Sequence, residues 1–208
     1  MRTLAHLIVG TLALILILVP ALVNGQEKNF ELSKGKAGPV EIGMSIDELY
    51  QRVGKEDTKL VDQYSEGFFS PVVEIYLKRE PKDAKPSLIA EVVGKPPAEN
   101  AHAFFISTFV VGRISVNDPQ FKTNVGIGVG STLGEIRRWY KVDWITFGEG
   151  PLVTRVEQIG MSFALDYSTP PQEWYTTHDA ALIPDSARVV SILITDVEAI
   201  RSRSQRAN

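Results

Sequence analysis

The stretch Asn124–Tyr140 constrains the fold most. An apolar run from Val125 to Val129 is broken by Gly126, Gly128 and Gly130, then passes into Ser131-Thr132-Leu133-Gly134-Glu135-Ile136-Arg137-Arg138-Trp139-Tyr140. Glycine between an extended run and a helix supplies backbone angles that other residues adopt only at a cost. Thr132 and Glu135 have capping-box spacing: the hydroxyl accepts from the amide three residues on, and the carboxylate reaches back to the cap's own amide. Leu133, Ile136 and Tyr140 then share a helical face. The pattern predicts a short strand, a glycine turn and a capped helix.

The same grammar occurs earlier, in Val40-Glu41-Ile42-Gly43 followed by Ser45-Ile46-Asp47-Glu48-Leu49-Tyr50-Gln51-Arg52-Val53 and closed by Gly54. Ser45 and Glu48 form the box, and Ile46, Leu49, Tyr50 and Val53 form the apolar stripe. Tyr64-Ser65-Glu66-Gly67 is echoed by Phe147-Gly148-Glu149-Gly150, and Arg113–Asp118 by Ser191–Asp196. Such positional agreement predicts an α+β fold of two tandem repeats, residues 39–119 and 120–198, each a capped helix packed on an antiparallel sheet. Residues 26–38 read as a flexible lead and 199–208 as a basic, solvated tail.

After each helix the apolar period shortens to two. Ile159, Met161, Phe163 and Leu165 alternate with polar or small residues, as do Ile106, Val110, Ile114 and Val116, and Val73, Ile75 and Leu77. These are strands buried on one face. Glu66-Gly67 and Glu149-Gly150-Pro151 mark hairpin turns between them. The phase of Val73 to Leu77 differs by one residue from the later copy, which requires a bulge or a misaligned position.

The segments Ile42–Leu49 and Val129–Ile136 resemble the opening of the helix in β-lactamase-inhibitor-like repeats, a unit also found in small outer-membrane assembly lipoproteins of bacteria. The resemblance implies a helix on an antiparallel sheet, sometimes in tandem, in proteins that bind other proteins rather than catalyse. It supplies no site residue here, and the lipidated cysteine of the assembly lipoproteins is missing, because the chain contains no cysteine.

Absence of cysteine also removes thiol nucleophiles, thiolate metal sites and disulfides. A net charge of −3 with both signs interspersed gives no basic stripe for nucleic acid. Arg2 followed by the apolar run Leu7–Val23 and by Asn24-Gly25-Gln26 predicts a secretory signal, residues 1–25, cleaved near Gly25-Gln26. The protein is then periplasmic or secreted. Left uncleaved, the run would serve as a single membrane anchor, at the lower edge of the ~17–25 residues that span a bilayer.

Catalytic patterns are sparse. Gly128-Val129-Gly130 lacks the dinucleotide spacing, and the earlier copy makes its turn with Gly43 alone, so backbone geometry accounts for these glycines. Gly160-Met161-Ser162-Phe163-Ala164 lies within an alternating strand, not at a hydrolase elbow. His102 and His178 have no metal-ligand spacing, and Asp179 beside His178 meets no nucleophile. No catalytic residue, metal ligand or cofactor is nominated.

Phe68, Phe69, Trp174 and Tyr175 are the candidate binding residues, since aromatic side chains beside turns and in long irregular segments such as 168–186 anchor interfaces. Their opposite reading is as lids folded back on the sheet. Trp139 and Trp144 are expected as core or staple residues. The functional expectation is a non-catalytic module binding a protein or envelope component. The alternative is an envelope polysaccharide hydrolase with a carboxylate pair that converges only in space.

Overall fold

The computed structural model describes residues 29–65, 68–77, 85–94, 109–147, 150–167 and 169–196. The signal segment, His102, Ile106, the turn Glu66-Gly67 and the tail 199–208 lie outside them. Within the described residues the fold is mixed α+β, with mainly antiparallel sheets and few helices. No helix among them is long and apolar enough to cross a membrane.

Local chemistry sets both longer helices, α1 (Ile46–Val53) and α2 (Leu133–Trp139). The Ser45 hydroxyl accepts from the Glu48 amide at 3.1 Å while the Glu48 carboxylate accepts from the Ser45 amide at 2.8 Å. Thr132 and Glu135 repeat this at 3.2 and 2.6 Å. Each box satisfies two amides that the first helical turn leaves open. Gly43 and Gly130 precede the caps with φ of 81° and 87°, where an L side chain is strained.

Eight strands build the main sheet: β4 (Thr58–Ser65), β5 (Phe68–Ile75), β6 (Leu88–Gly94), β7 (Phe109–Val116), β9 (Trp144–Phe147), β10 (Leu152–Val156), β11 (Met161–Leu165) and β12 (Val189–Thr195). Their order is β4-β5-β6-β7-β12-β11-β10-β9. Every neighbouring pair is antiparallel, and β7 meets β12 in mid-sheet with Ser115 opposite Leu193. A four-stranded sheet of shorter pieces, β1 (Glu31–Ser33), β2 (Lys36–Ala37), β3 (Val40–Glu41) and β8 (Lys122–Thr123), runs in the order β3-β2-β1-β8.

Two pairs of backbone hydrogen bonds tie the helix entries to the sheet. Gly43 N–H donates to Val111 and Val111 N–H to Met44; Gly130 N–H donates to Val189 and Val189 N–H to Ser131. Each helix therefore begins at a fixed point on β7 or β12. Ile46, Leu49, Leu133 and Ile136 join Val73, Ile75, Leu88, Ile114, Ile192, Ile194, Met161 and Phe163 in one core on that face of the sheet.

Three sequence expectations change. Residues 26–38 include β1 and β2, whose Leu32 and Ala37 are buried; the alternation there is too short to read, and β1 finds its parallel partner β8 far along the chain. The register shifts lie between Glu91 and Val92 and between Ala164 and Leu165, in the β6/β7 and β11/β12 pairs rather than around Val73. Trp139 and Trp144 are exposed, Trp139 in the last turn of α2 and Trp144 on an edge strand. Trp144 pairs with Arg155, whose strand neighbours Thr154 and Val156 take the core side, so the pleat turns it away from the core.

Two glycines give separable stability tests. A Cβ at Gly130 would meet nothing within 4 Å, whereas at Gly128 it would lie 2.2 Å from the Phe121 carbonyl oxygen. Gly130→Ala should cost about 1–2 kcal/mol through its positive φ alone, and Gly128→Ala should cost more, as read by urea unfolding. Equal losses would contradict this reading.

The Glu135 carboxylate is held below the ordinary glutamate range, first by the hydrogen bond from the Thr132 amide; desolvation opposes it, and the Thr132 hydroxyl, Arg138 and Lys122 assist. A depressed folded value stabilises above the ordinary value, and that contribution is lost as pH falls through the depressed one. The stability gap between wild type and Glu135→Gln should therefore shrink on acidification through this window. A gap independent of pH would remove the charge from the account.

Candidate functional site

The two outer hairpins of the sheet, β4–β5 and β9–β10, end in aromatic residues that meet opposite fates. Strand alternation places Leu60, Asp62 and Tyr64 opposite Val73, Pro71 and Phe69. Val73 is a core residue, so all six side chains lie on the core side of the sheet. Tyr64 and Phe69 nonetheless are 63% and 69% exposed, ring against ring at 5.1 Å. Leu60 beside them is exposed too.

Pro71 accounts for this overhang. The β5/β6 ladder runs from Ile75 to Val72 and stops there; the next residue, Pro71, has no N–H to donate. Beyond it, among the described residues, β4 and β5 continue as a two-stranded projection, while β6 pairs onward with β7 as far as Gly94 opposite Phe109.

At the other hairpin the last core-side pair is Phe147 and Leu152, and Leu152 continues the ladder to Leu165. Here a short helix, α3 (Trp174–Thr177), lies against the ring. Trp174 meets Phe147 edge-on at 5.4 Å, and Tyr175 stacks on it at 6.0 Å. Trp174 is 2% exposed and Tyr175 47%. His178, at φ 52°, ends α3 with its ring 5.2 Å from Trp174.

The segment carrying α3 satisfies itself. The amides of Trp174, Tyr175 and Thr177 donate to the carbonyls of Pro171, Gln172 and Glu173, and Asp179 accepts from Ala181. Asp179 thus caps a turn rather than orienting His178. Arg137 clamps the far end of the loop through the Ile183 and Ala180 carbonyls and the Asp185 carboxylate. Residues 169–186 are in this way tied down from α2.

Of the four sequence-nominated residues, Phe69 is exposed, Tyr175 is half exposed and Trp174 is the buried anchor of α3. Phe68 pairs with Ser65 across the turn, and its side chain lies outside the described ones. The structure groups Trp174 with Tyr175 at one hairpin and places Phe69 at the other. Sequence reasoning missed Tyr64 and Phe147, although each lies just ahead of a glycine turn, five residues before Phe69 and Leu152 respectively.

The opposite face of the sheet carries a row through all eight strands: Lys59, Glu74, Ile89, Ser115, Leu193, Ser162, Arg155 and Trp144. Charges on this face are paired within the chain, Lys59 with Glu74, Arg113 with Glu91 and Arg155 with Glu157. The Arg155 guanidinium also donates to Thr195 and Ser162, so Ser162 is a sheet residue in a polar contact.

Many described carboxylates act as structural acceptors. Asp118 accepts from Ser87 and the Gln120 amide, Asp143 from the Glu157 amide, and Asp166 from the Arg188 amide. Among the described residues no group of three or more His, Asp or Glu is placed to hold a metal ion.

No protein-family model and no curated protein matches the chain. The crystal structure of the uncharacterized protein yfeY from Escherichia coli is similar, with a TM-score of 0.49 and 12% sequence identity over 81% of this chain and 99% of that one.

Core and surface roles at the second hairpin separate by mutation. Trp174→Ala should cost about 3–5 kcal/mol of stability as a buried aromatic lost, and Tyr175→Ala about 1 kcal/mol or less. The Trp174 Nε1 is buried with no acceptor among the described residues. Trp174→Phe, which removes that donor, should therefore stay within about 1.5 kcal/mol of wild type. Urea unfolding decides it, and a Trp174→Phe loss as large as that of Trp174→Ala would contradict the assignment.

Proposed function

We propose that the chain is an exported, non-catalytic binding module formed by an internal duplication, and that it takes hold of a protein or envelope partner through the end of the β4–β5 hairpin. The observation that carries this reading is the exposed pair Tyr64–Phe69 on the core side of the sheet. Large aromatic surfaces of this kind are the commonest energetic anchors of interfaces.

Support for the duplication comes from three sources. The sheet order reads as one set of four strands and its reverse, meeting at β7 and β12. Identical bond pairs link Gly43 and Met44 to Val111 and link Gly130 and Ser131 to Val189. The sequence between β6 and β7 contains Pro96-Pro97-Ala98-Glu99, and that between β11 and β12 contains Pro170-Pro171-Gln172-Glu173. Export is supported by the apolar run Leu7–Val23.

The open face of the sheet is the weaker candidate. Its charges are neutralised in place, and covering them would desolvate ion pairs with little return. The carboxylates that serve as structural acceptors leave the hydrolase alternative without an observation in its favour.

Double replacement of Tyr64 and Phe69 by serine should cost about 1 kcal/mol of stability or less, the worth of an exposed cross-strand aromatic pair, yet abolish co-purification of the envelope partner trapped by a photo-crosslinking residue at position 69. A crosslinker at Lys59, on the open face, serves as control. Undiminished association in the double variant, or equal trapping from both positions, would sink the proposal.

A further inference from the structure

We infer that the β4–β5 hairpin end receives a proline-led segment of a partner protein bearing two adjacent aromatic side chains and a basic residue. The inference rests on the binding reading above and specifies its occupant. It comes from the other hairpin of the same sheet, where the last core-side aromatic residue, Phe147, is covered by Trp174 and Tyr175.

That covering segment has a simple recipe. Two prolines lead into a single turn whose amides are satisfied by its own carbonyls, Pro171 for Trp174, Glu173 for Thr177 and Trp174 for His178. Contact with the hairpin is made by rings, one edge-on and one stacked. Among the described residues no backbone ladder joins α3 to the hairpin, and none is needed: a segment that carries its own hydrogen bonds can be supplied by another chain and docked through side chains alone.

The β4–β5 end offers matching ground. Tyr64 and Phe69 present a paired aromatic surface, with Leu60 and Pro71 continuing it along the same face. The Pro71 break in the ladder leaves the projection clear of β6 on one side. One charge distinguishes the two ends: exposed Asp62 sits between Leu60 and Tyr64 on this face, so a basic residue next to the occupant's aromatics fits where Glu173 stands in the α3 segment.

The probe is a fluorescein-labelled peptide of residues 169–179 carrying Glu173→Lys, titrated by anisotropy into the full chain. Saturable binding is expected, weakened roughly tenfold or more by Tyr64→Ser with Phe69→Ser, as for interface anchors. It should be lost when the peptide also carries Trp174→Ala and Tyr175→Ala. Asp62→Asn should weaken binding and flatten its salt dependence. Circular dichroism establishes that each protein variant is folded.

Failure of the peptide to bind, or binding indifferent to the hairpin variant, overturns the inference. Trapping from position 69 of a second copy, or of the chain's own sequence between β6 and β7, overturns it as well. If the peptide fails while a different protein is still trapped from position 69, the occupant is wrong and the binding reading stands. If both fail, both fall.

Discussion

The pairing of β7 with β12 is the contact on which the rest depends. Only Val116, Ser115, Ile114 and Arg113 face Ile192, Leu193, Ile194 and Thr195, yet these pairs join the first four strands of the sheet to the last four. The same two strands hold the helix entries, through Val111 and Val189. Helix position and sheet continuity thus share one pair of strands. Ile114, Ile192 and Ile194 are fully or almost fully buried there, so loosening this seam would expose the centre of the core rather than its margin.

From that seam outward, structure passes from shared to individual. The central strands are covered on the core side by both helices and by residues of the small sheet, such as Leu32, Ala37 and Val40. The outer hairpins reach past this cover and must solve their own burial. At β9–β10 the solution is α3, whose segment is tied further along, at Ala180, Ile183 and Asp185, by Arg137 of α2. At β4–β5 the described residues provide no equivalent. Burying an aromatic side chain stabilises by roughly 1.5–3 kcal/mol, so two rings left exposed at the β4–β5 end forgo a sizeable stabilisation that Phe147 obtains from Trp174 and Tyr175.

Legibility in the sequence followed the range of the interaction. Both capped helices could be read because Ser45 with Glu48 and Thr132 with Glu135 act over three residues. Hairpins and their alternation were legible for the same reason. The parallel contact of β1 with β8, the burial of Trp174 and the exposure of Trp139 and Trp144 depend on what lies across from them, which no local pattern records. The glycine-rich stretch before α2 was legible in part: the expected strand is only an isolated bridge between Gly128 and Lys122, whereas Gly130 serves its positive φ and Gly128 the close approach of the Phe121 carbonyl.

Pro71 shows how one residue can turn a buried position into an exposed one without altering the fold. On the second side of the sheet, Thr154 keeps its pairing to both Phe163 and Ile145, and the three strands stay together up to Phe147 and Leu152. On the first, a residue with no amide hydrogen stands beside the last rung of the β5/β6 ladder, and among the described residues the hairpin continues without a third strand. An isolated two-stranded projection is marginal by itself. Here its cross-strand pair Tyr64–Phe69 can hold it, because aromatic pairs add about 0.2–1 kcal/mol across a sheet. The cross-strand pair that adds to the order of the projection is therefore also its most exposed surface.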